Sequence, residues 1–335
     1  MSVKITIIGL GQIGGSIGLA LAEHRNEVDR IGYDTNVEVA RKAEKAGAID
    51  KMVLNLIAAV READLIILAI PMDQIRETLE YIAPEMKEGA VIMDTGPVKG
   101  SVIAWMGELL PPNRYYVGLT PVLNPTYLHS YESGFESARA DLFHNGLLGI
   151  TAPSGASSQA IKLAGDLSQL LGADPLFTDP LEMDGLMAAT YLLPQLIGAA
   201  LISSTVNQPG WREGRKITGR AYTRATDSFI QMDAPIALSA AAILNRDNIV
   251  RVLDNVIAMM ETMRDEIENQ ESEALNELLL QARQFGDKWW AERKAANWRA
   301  EELSTGVETP RSRDMLGRLI GLGRKPKSRK DAEQG

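Results

Sequence analysis

The sequence predicts an α/β chain: a doubly wound sheet in the first part, followed by a part that is helical throughout. Three observations carry this. Short β-branched or apolar runs alternate with helical patterns up to about residue 180. Leu65 to Ile70 is an unbroken apolar run between Asp64 and Pro71, as expected of a strand covered on both faces of a parallel sheet. Beyond Pro180 only the helical period remains.

Taken in order, Val3 to Ile8 is a buried strand that breaks into Gly9-Leu10-Gly11-Gln12-Ile13-Gly14, with a helical stripe following through Ile17, Leu19, Leu21 and Ala22. Arg30 to Tyr33 is a second strand ending on Asp34, and Val37 to Ala46 is a helix closed by Gly47. A short strand near Met52-Val53-Leu54 and a short helix from Leu56 to Glu62 lead into the Asp64–Pro71 strand. Gln74 to Ile82 is helical, Ala90 to Asp94 a strand broken by Thr95-Gly96-Pro97, and Val102 to Leu110 a helix stopped by Pro111-Pro112. Strands at Tyr115 to Leu119 and Leu147 to Thr151, a helix from Ser157 to Leu171 and a strand at Pro175 to Phe177 complete the sheet. Helices are then expected over Leu181 to Val206, Gly219 to Gln231, Ile236 to Leu244, Asp247 to Ile267 and Glu271 to Lys294. The expected organisation is 1–180 for the sheet domain, 181–305 for the helical domain and 306–335 for a basic, disordered tail.

The run strand, glycine turn, helix, strand, acid gives the G-x-G-x-x-G string its meaning. Gly9 permits the tight turn, Gly11 removes a Cβ that would hold the backbone away from a pyrophosphate, and Gly14 lets helix and strand sit close. The free N–H groups at the start of the helix favour the negative diphosphate. Asp34 is placed to accept hydrogen bonds from ribose hydroxyls and to repel a 2′-phosphate, and no arginine stands beside it, so NAD is favoured over NADP. The expected cofactor site comprises Gly9, Leu10, Gly11, Gln12, Ile13, Gly14 and Asp34 with Ala69, Ile70, Pro71, Gln74, Thr95 and Gly96. This is a Rossmann-type nucleotide domain.

A net charge of −9 argues against a general nucleic-acid binder, and the absence of cysteine excludes disulfides, thiolate metal sites and thiol chemistry. No metal site is expected. With no leader ahead of Val3, a cytoplasmic protein is expected. Leu186 to Val206 is apolar enough to raise a membrane span, but Thr190, Pro194, Gln195 and Ser203-Ser204-Thr205 favour a helix in a domain core or subunit interface. Trp289, Trp290 and Trp298 read as packing residues, and Met315 to Leu322 among the tail's basic residues as a solubilising end rather than a membrane segment.

Several stretches resemble the prephenate and arogenate dehydrogenases of tyrosine biosynthesis: Gly9 to Ser16, Asp64 to Pro71, Asp94-Thr95-Gly96-Pro97-Val98-Lys99 and Ser133 to Phe143, and more thinly Asp179 to Asp184 and Asn245-Arg246-Asp247. The resemblance implies an NAD(P)-dependent enzyme with a helical C-terminal domain that forms a homodimer, acting on a small anionic cyclohexadienyl acid in the cleft between domains. Hydride leaves for the nicotinamide, carbon dioxide is lost and an aromatic ring forms.

The departures fall at the chemistry. Thr120 stands where the family has a general-base histidine, and a threonine hydroxyl cannot collect a proton near neutral pH; a positioned base is worth ~10²–10⁴-fold in rate. Pro97 replaces the family's serine, Met183-Asp184 its His-Asp pair, and Tyr191-Leu192-Leu193-Pro194-Gln195 its S-H-L-P-H helix. The carboxylate-binding arginine aligns with Phe229, or with Arg224 after a small shift. Candidate catalytic groups are therefore Thr120, His129 as a displaced base, and Lys99, which also suits an anionic substrate or the cofactor phosphates; candidate substrate contacts are Arg224, Tyr191 and Gln195. Tyr191 is a further proton carrier. His24 and His144 read as structural. Two functions follow: a dehydrogenase of changed chemistry, or a catalytically inactive NAD-binding dimer acting as a sensor or regulatory protein. A β-hydroxyacid dehydrogenase using Lys216 has only its neighbouring glycines in support.

Overall fold

The computed structural model describes residues 2–130, 132–232 and 234–296; Trp298, the limit of the helical domain at 305 and the 306–335 tail lie outside them. Eight strands, β1 (Val3–Ile8), β2 (Val28–Tyr33), β3 (Lys51–Met52), β4 (Leu65–Leu68), β5 (Val91–Asp94), β6 (Tyr115–Pro121), β7 (Leu147–Thr151) and β8 (Asp174–Phe177), form one sheet in the order β3-β2-β1-β4-β5-β6-β7-β8. Helices α1 (Gln12–Ala20), α2 (Val37–Lys45), α3 (Leu56–Val60), α4 (Met72–Ile82), α5 (Lys99–Leu109) and α6 (Ser158–Leu170) cover it. The strand order reverses between β1 and β4, so the crevice outside their carboxyl ends is the topological switch point where such sheets take ligands.

The alternation along the strands explains the two layers. Ile5, Ile7, Leu65, Ile67, Val91, Met93, Val117 and Leu119 pack on one face with Ile17 of α1, Ala40 and Ala43 of α2 and Leu163 and Leu167 of α6. Ile8, Ile66, Leu68, Ile92 and Tyr116 pack on the other with Val60, Ile75, Leu79, Val102 and Met106. That second layer continues into Leu192, Leu238, Ile249 and Val252, which seats the helical part on α4 and α5.

One strand breaks the parallel pattern. β7 runs antiparallel to β6, with Gly118 opposite Thr151 and Pro121 opposite Leu148. A parallel return needs a crossover, normally a helix, and the described residues of 122–146 hold only two short 3-10 turns, Pro125–Tyr127 and Phe135–Ser137.

The helical part comprises α7 (Pro180–Met187), α8 (Leu193–Val206), α9 (Trp211–Ile217), α10 (Arg220–Ile230), α11 (Pro235–Leu244), α12 (Arg246–Glu268) and α13 (Ser272–Ala295). The single helix expected from Leu181 to Val206 is instead interrupted by a π turn, Ala188–Leu192. Pro194 has no N–H to donate to the carbonyl four residues back, and the amide of Gln195 supplies a bond to the Tyr191 carbonyl at 2.7 Å. α9, preceded by Gly210 at φ +92°, was not legible beforehand. Pro180 to Val206 is long and apolar enough to cross a membrane by length and composition; its most apolar 18-residue window has mean hydropathy 1.6, and 22% of that window is buried within one chain, the rest being left uncovered. Leu181, Ile236, Ile243, Val250, Ile257 and Met260 likewise leave apolar surface uncovered.

Candidate functional site

The glycine turn is built as its sequence requires. Gly9 adopts φ +87°, and a Cβ there would collide with the Ala69 carbonyl, so the end of β1 is pressed onto the end of β4. A Cβ on Gly14 would strike the Gly9 carbonyl. At Gly11, by contrast, a Cβ would meet no atom within 4 Å, which leaves an open cradle beside the first turn of α1. No side chain caps that turn, so its N–H groups are free for an anion. Asp34 stands at the end of β2, its two oxygens accepting from the backbone N–H of Leu10 and of Asn36, both at 2.8 Å. The carboxylate is thus fixed against the glycine turn.

The neighbouring strand ends join this cradle. Ala69, Ile70 and Pro71 follow β4, with Pro71 at the entry to α4 and Gln74 exposed on its first turn. Thr95 donates its backbone N–H to the Leu68 carbonyl at 3.0 Å, and Gly96 donates to Asp94 Oδ2 at 2.7 Å. All the expected cofactor residues therefore line the carboxyl ends of β1, β2, β4 and β5.

Beside them lies a buried polar cluster. Lys99, the first residue of α5, is fully buried and its Nζ donates to Asp94 Oδ2 at 2.8 Å and to the Asp94 carbonyl at 3.2 Å. Tyr116 donates its hydroxyl to Asp94 Oδ1 at 2.6 Å. Gly118 makes the room: a Cβ would stand 2.8 Å from both Lys99 Cδ and Tyr116 Oη. Burial pulls the Lys99 ammonium below its ordinary value, against the opposing pull of Asp94. Burial, then the Asp94 carboxylate, push the Tyr116 phenol well above its own. Lys99 thus turns its charge inward onto Asp94, and the expectation that it binds an anionic ligand finds no contact in this arrangement.

Thr120 lies on the same face of β6 as Tyr116 and Gly118. It is 3% exposed, and its hydroxyl has no hydrogen-bond partner among the described residues. Gly149 leaves space there; a Cβ would meet Met183 Cε at 2.5 Å and Thr120 Cβ at 3.1 Å. Thr120 and Met183, two of the positions at which the resembled family carries histidine, therefore pack against the same glycine.

The other candidates sit elsewhere. His129 is exposed, its ring edge-on to Trp290 of α13 at 5.2 Å rather than bonded to Thr120. His144 lies over Gly172, and His24 ends a short 3-10 turn. Arg224 is exposed on α10, and Phe229 packs near Gly198 of α8. Tyr191 is 50% exposed in the π turn, with Gln195 buried beneath it. Tyr116 and Asp184 were not read as site residues. A tyrosine inside a buried strand, four residues from Thr120, was the available signal for the first.

Comparison with known proteins follows the same lines. Residues 17–175 match the model of the prephenate dehydrogenase nucleotide-binding domain, and residues 179–281 that of the prephenate dehydrogenase dimerization domain. The chain is similar to a prephenate dehydrogenase of Bacillus subtilis, 28% identical over 86% of this chain and 76% of that protein. It is also similar to a cyclohexadienyl dehydrogenase of Zymomonas mobilis, 28% identical over 82% and 91%. Among solved structures, the prephenate dehydrogenase from Aquifex aeolicus in complex with hydroxyphenyl propionate and NAD+ superposes with a TM-score of 0.75 at 20% identity, covering 86% of this chain and 98% of that one. The Synechocystis arogenate dehydrogenase superposes with a TM-score of 0.66 at 21% identity, covering 86% and 100%.

Proposed function

The chain belongs to the prephenate dehydrogenase family, and on that premise we propose that it binds NAD at the β1–β4 switch point and oxidises an anionic, cyclohexadienyl-type acid other than prephenate. The observation that carries this reading is the open, uncapped glycine cradle with its fixed Asp34, standing beside a Thr120 hydroxyl where the family places a base. The residues fit the cofactor. The N–H groups opening α1 would hold the diphosphate, Asp34 a ribose, and the Ala69–Pro71 and Thr95–Gly96 turns would flank the ring end. NAD bound there accepts a hydride.

What the chain itself does to the substrate differs from its relatives. Thr120 can orient a reacting oxygen by a hydrogen bond but cannot hold the proton that a hydroxyl must lose. Arg224 supplies a cation for a carboxylate, and Tyr191 and Gln195 polar contacts from the helical side. The uncovered faces of the helical part, within the segment that matches a dimerization domain, support a homodimer. NAD is preferred to NADP because Asp34 would repel a 2′-phosphate. The protein is proposed to act in the cytoplasm, in tyrosine biosynthesis or a branch from it.

A second reading is an inactive NAD-binding dimer that senses the cofactor. It is favoured by one observation: none of the three histidines contacts Thr120. Calorimetry with NAD and NADP, followed by turnover assays with prephenate and arogenate, tests both. NAD binding with at most weak prephenate oxidation is expected. Robust prephenate turnover overturns the altered chemistry, and no heat with either coenzyme overturns the site.

A further inference from the structure

A largely buried chain of hydrogen bonds runs from the helical part to the Thr95–Gly96 turn. Asn248 of α12 donates its side-chain amide to Asn245 Oδ1 at 2.9 Å, and Asn245 donates to the Asp184 carbonyl at 2.7 Å. Asp184, on α7 and 6% exposed, accepts the backbone N–H of Lys99 at 2.5 Å through Oδ1 and that of Gly100 at 3.0 Å through Oδ2. Lys99 then holds Asp94, and Asp94 accepts the Gly96 N–H.

We propose that Asp184 is a positioning residue: from the helical part it caps α5 and thereby sets the Thr95–Gly96 turn against which the cofactor lies. The assignment of that turn to the NAD site is the reading given above, on which this proposal rests.

Three features select Asp184. The residue before α5, Val98, offers no side-chain cap, so the orphan N–H groups of the helix are met from another element. A carboxylate also suits the positive end of a helix. Gly100 permits the approach, since a Cβ there would already stand 3.0 Å from Asp184 Oδ2. A cap made locally would fix α5 alone. This one ties α5 to α7 and, through Asn245, to α12, so a shift of the helical part pulls on the start of α5. Lys99 is the residue that carries the capped N–H and also the ammonium on Asp94, so the pull reaches Gly96 through two side chains, those of Lys99 and Asp94.

The test uses the full chain with Asp184→Ala, Asp184→Asn and, as a control on the helical side, Asn245→Ala. NADH titration followed by nicotinamide fluorescence reads the cofactor turn, and hydrogen exchange reads the Gly96, Lys99 and Gly100 amides. Circular dichroism at the titration temperature establishes that each variant is folded. Asp184→Ala should weaken NADH roughly tenfold and Asp184→Asn, which keeps one accepting oxygen, about threefold. Exchange at Gly96 should accelerate with that at Lys99 and Gly100. Folded Asp184→Ala, or folded Asp184→Asn should the alanine variant not fold, that leaves both NADH affinity and Gly96 exchange as in the unsubstituted protein overturns the proposal. If the unsubstituted protein takes up no NADH, the cofactor reading falls, and Gly96 exchange alone decides whether Asp184 governs the turn.

Discussion

Removing the Lys99 ammonium is the sharpest test of the buried cluster. In Lys99→Met the side chain keeps its approximate length, but Asp94 loses the Nζ contact at 2.8 Å and retains only the Tyr116 hydroxyl and the Gly96 N–H on its carboxylate. Both charged side chains are completely buried, so solvent cannot replace the lost partner. Breaking such a pair from one side costs about 3–5 kcal/mol because a charge is left uncompensated, whereas replacing both partners with neutral groups costs much less. With a urea m-value of about 3 kcal/mol/M, the midpoint should fall by about 1–1.7 M. Adding Asp94→Asn should recover at least about 1.5 kcal/mol of that loss, a coupling typical of residues in one network. Equilibrium urea unfolding followed by circular dichroism measures all three variants. A loss below about 1 kcal/mol for Lys99→Met, or a double variant less stable than the single one, refutes the argument. The outcome also bears on function: a lysine whose charge served a ligand would show its effect in binding and leave stability nearly intact.

Three further outcomes follow from the same geometry. Thr120→Val removes a buried hydroxyl that has no partner among the described residues, so thermal unfolding should show a gain of about 1 kcal/mol, while turnover of the true substrate falls; a loss of stability would mean that the hydroxyl is already bonded. Asp34→Ala should weaken NAD at least about tenfold and narrow its preference over NADP, read by parallel calorimetric titrations. Arg30 is 2% exposed and spans the Gly18 and Gly47 carbonyls and Asp50. Burial raises the Asp50 carboxyl, but the Arg30 hydrogen bonds more than offset it and hold the group below its ordinary 3.8. The stabilisation is therefore complete above that value and lost as pH falls through the lower folded value. Asp50→Asn should lower the melting temperature at pH 7 and by progressively less as the pH is taken below 3.8, the deficit being modest because Asp50 is 41% exposed.

What the sequence disclosed and what it concealed divide along a physical line. The glycine turn was legible because Gly9, Gly14 and Asp34 answer constraints set within a few residues of themselves: a positive φ, a helix packed on its own strand, a carboxylate one strand away. Strands such as Leu65–Leu68 were legible because burial on both faces leaves an unbroken apolar run. The π turn was not, since Pro194 marks a weak point in a helix without saying how the turn before it closes, and the antiparallel β7 was not, since apolar runs carry no direction. The cluster around Asp94 was hidden for a related reason. Lys99, Tyr116 and Asp184 lie on α5, β6 and α7; Lys99 reads alone as a binder of an anion, and the other two as a core aromatic and an ordinary charge. Only the absence of a side chain at Gly118 and Gly100 lets them meet. Thr120 and Met183, by contrast, both pack against Gly149, and the Thr120 hydroxyl bonds to nothing among the described residues, so no side-chain hydrogen bond of the fold dictates the residue at 120. Asp94, Lys99 and Asp184 are instead bonded to one another across β5, α5 and α7 and to the Gly96 N–H, so a change at any of them should cost stability and, on the proposed reading, disturb the turn at Gly96.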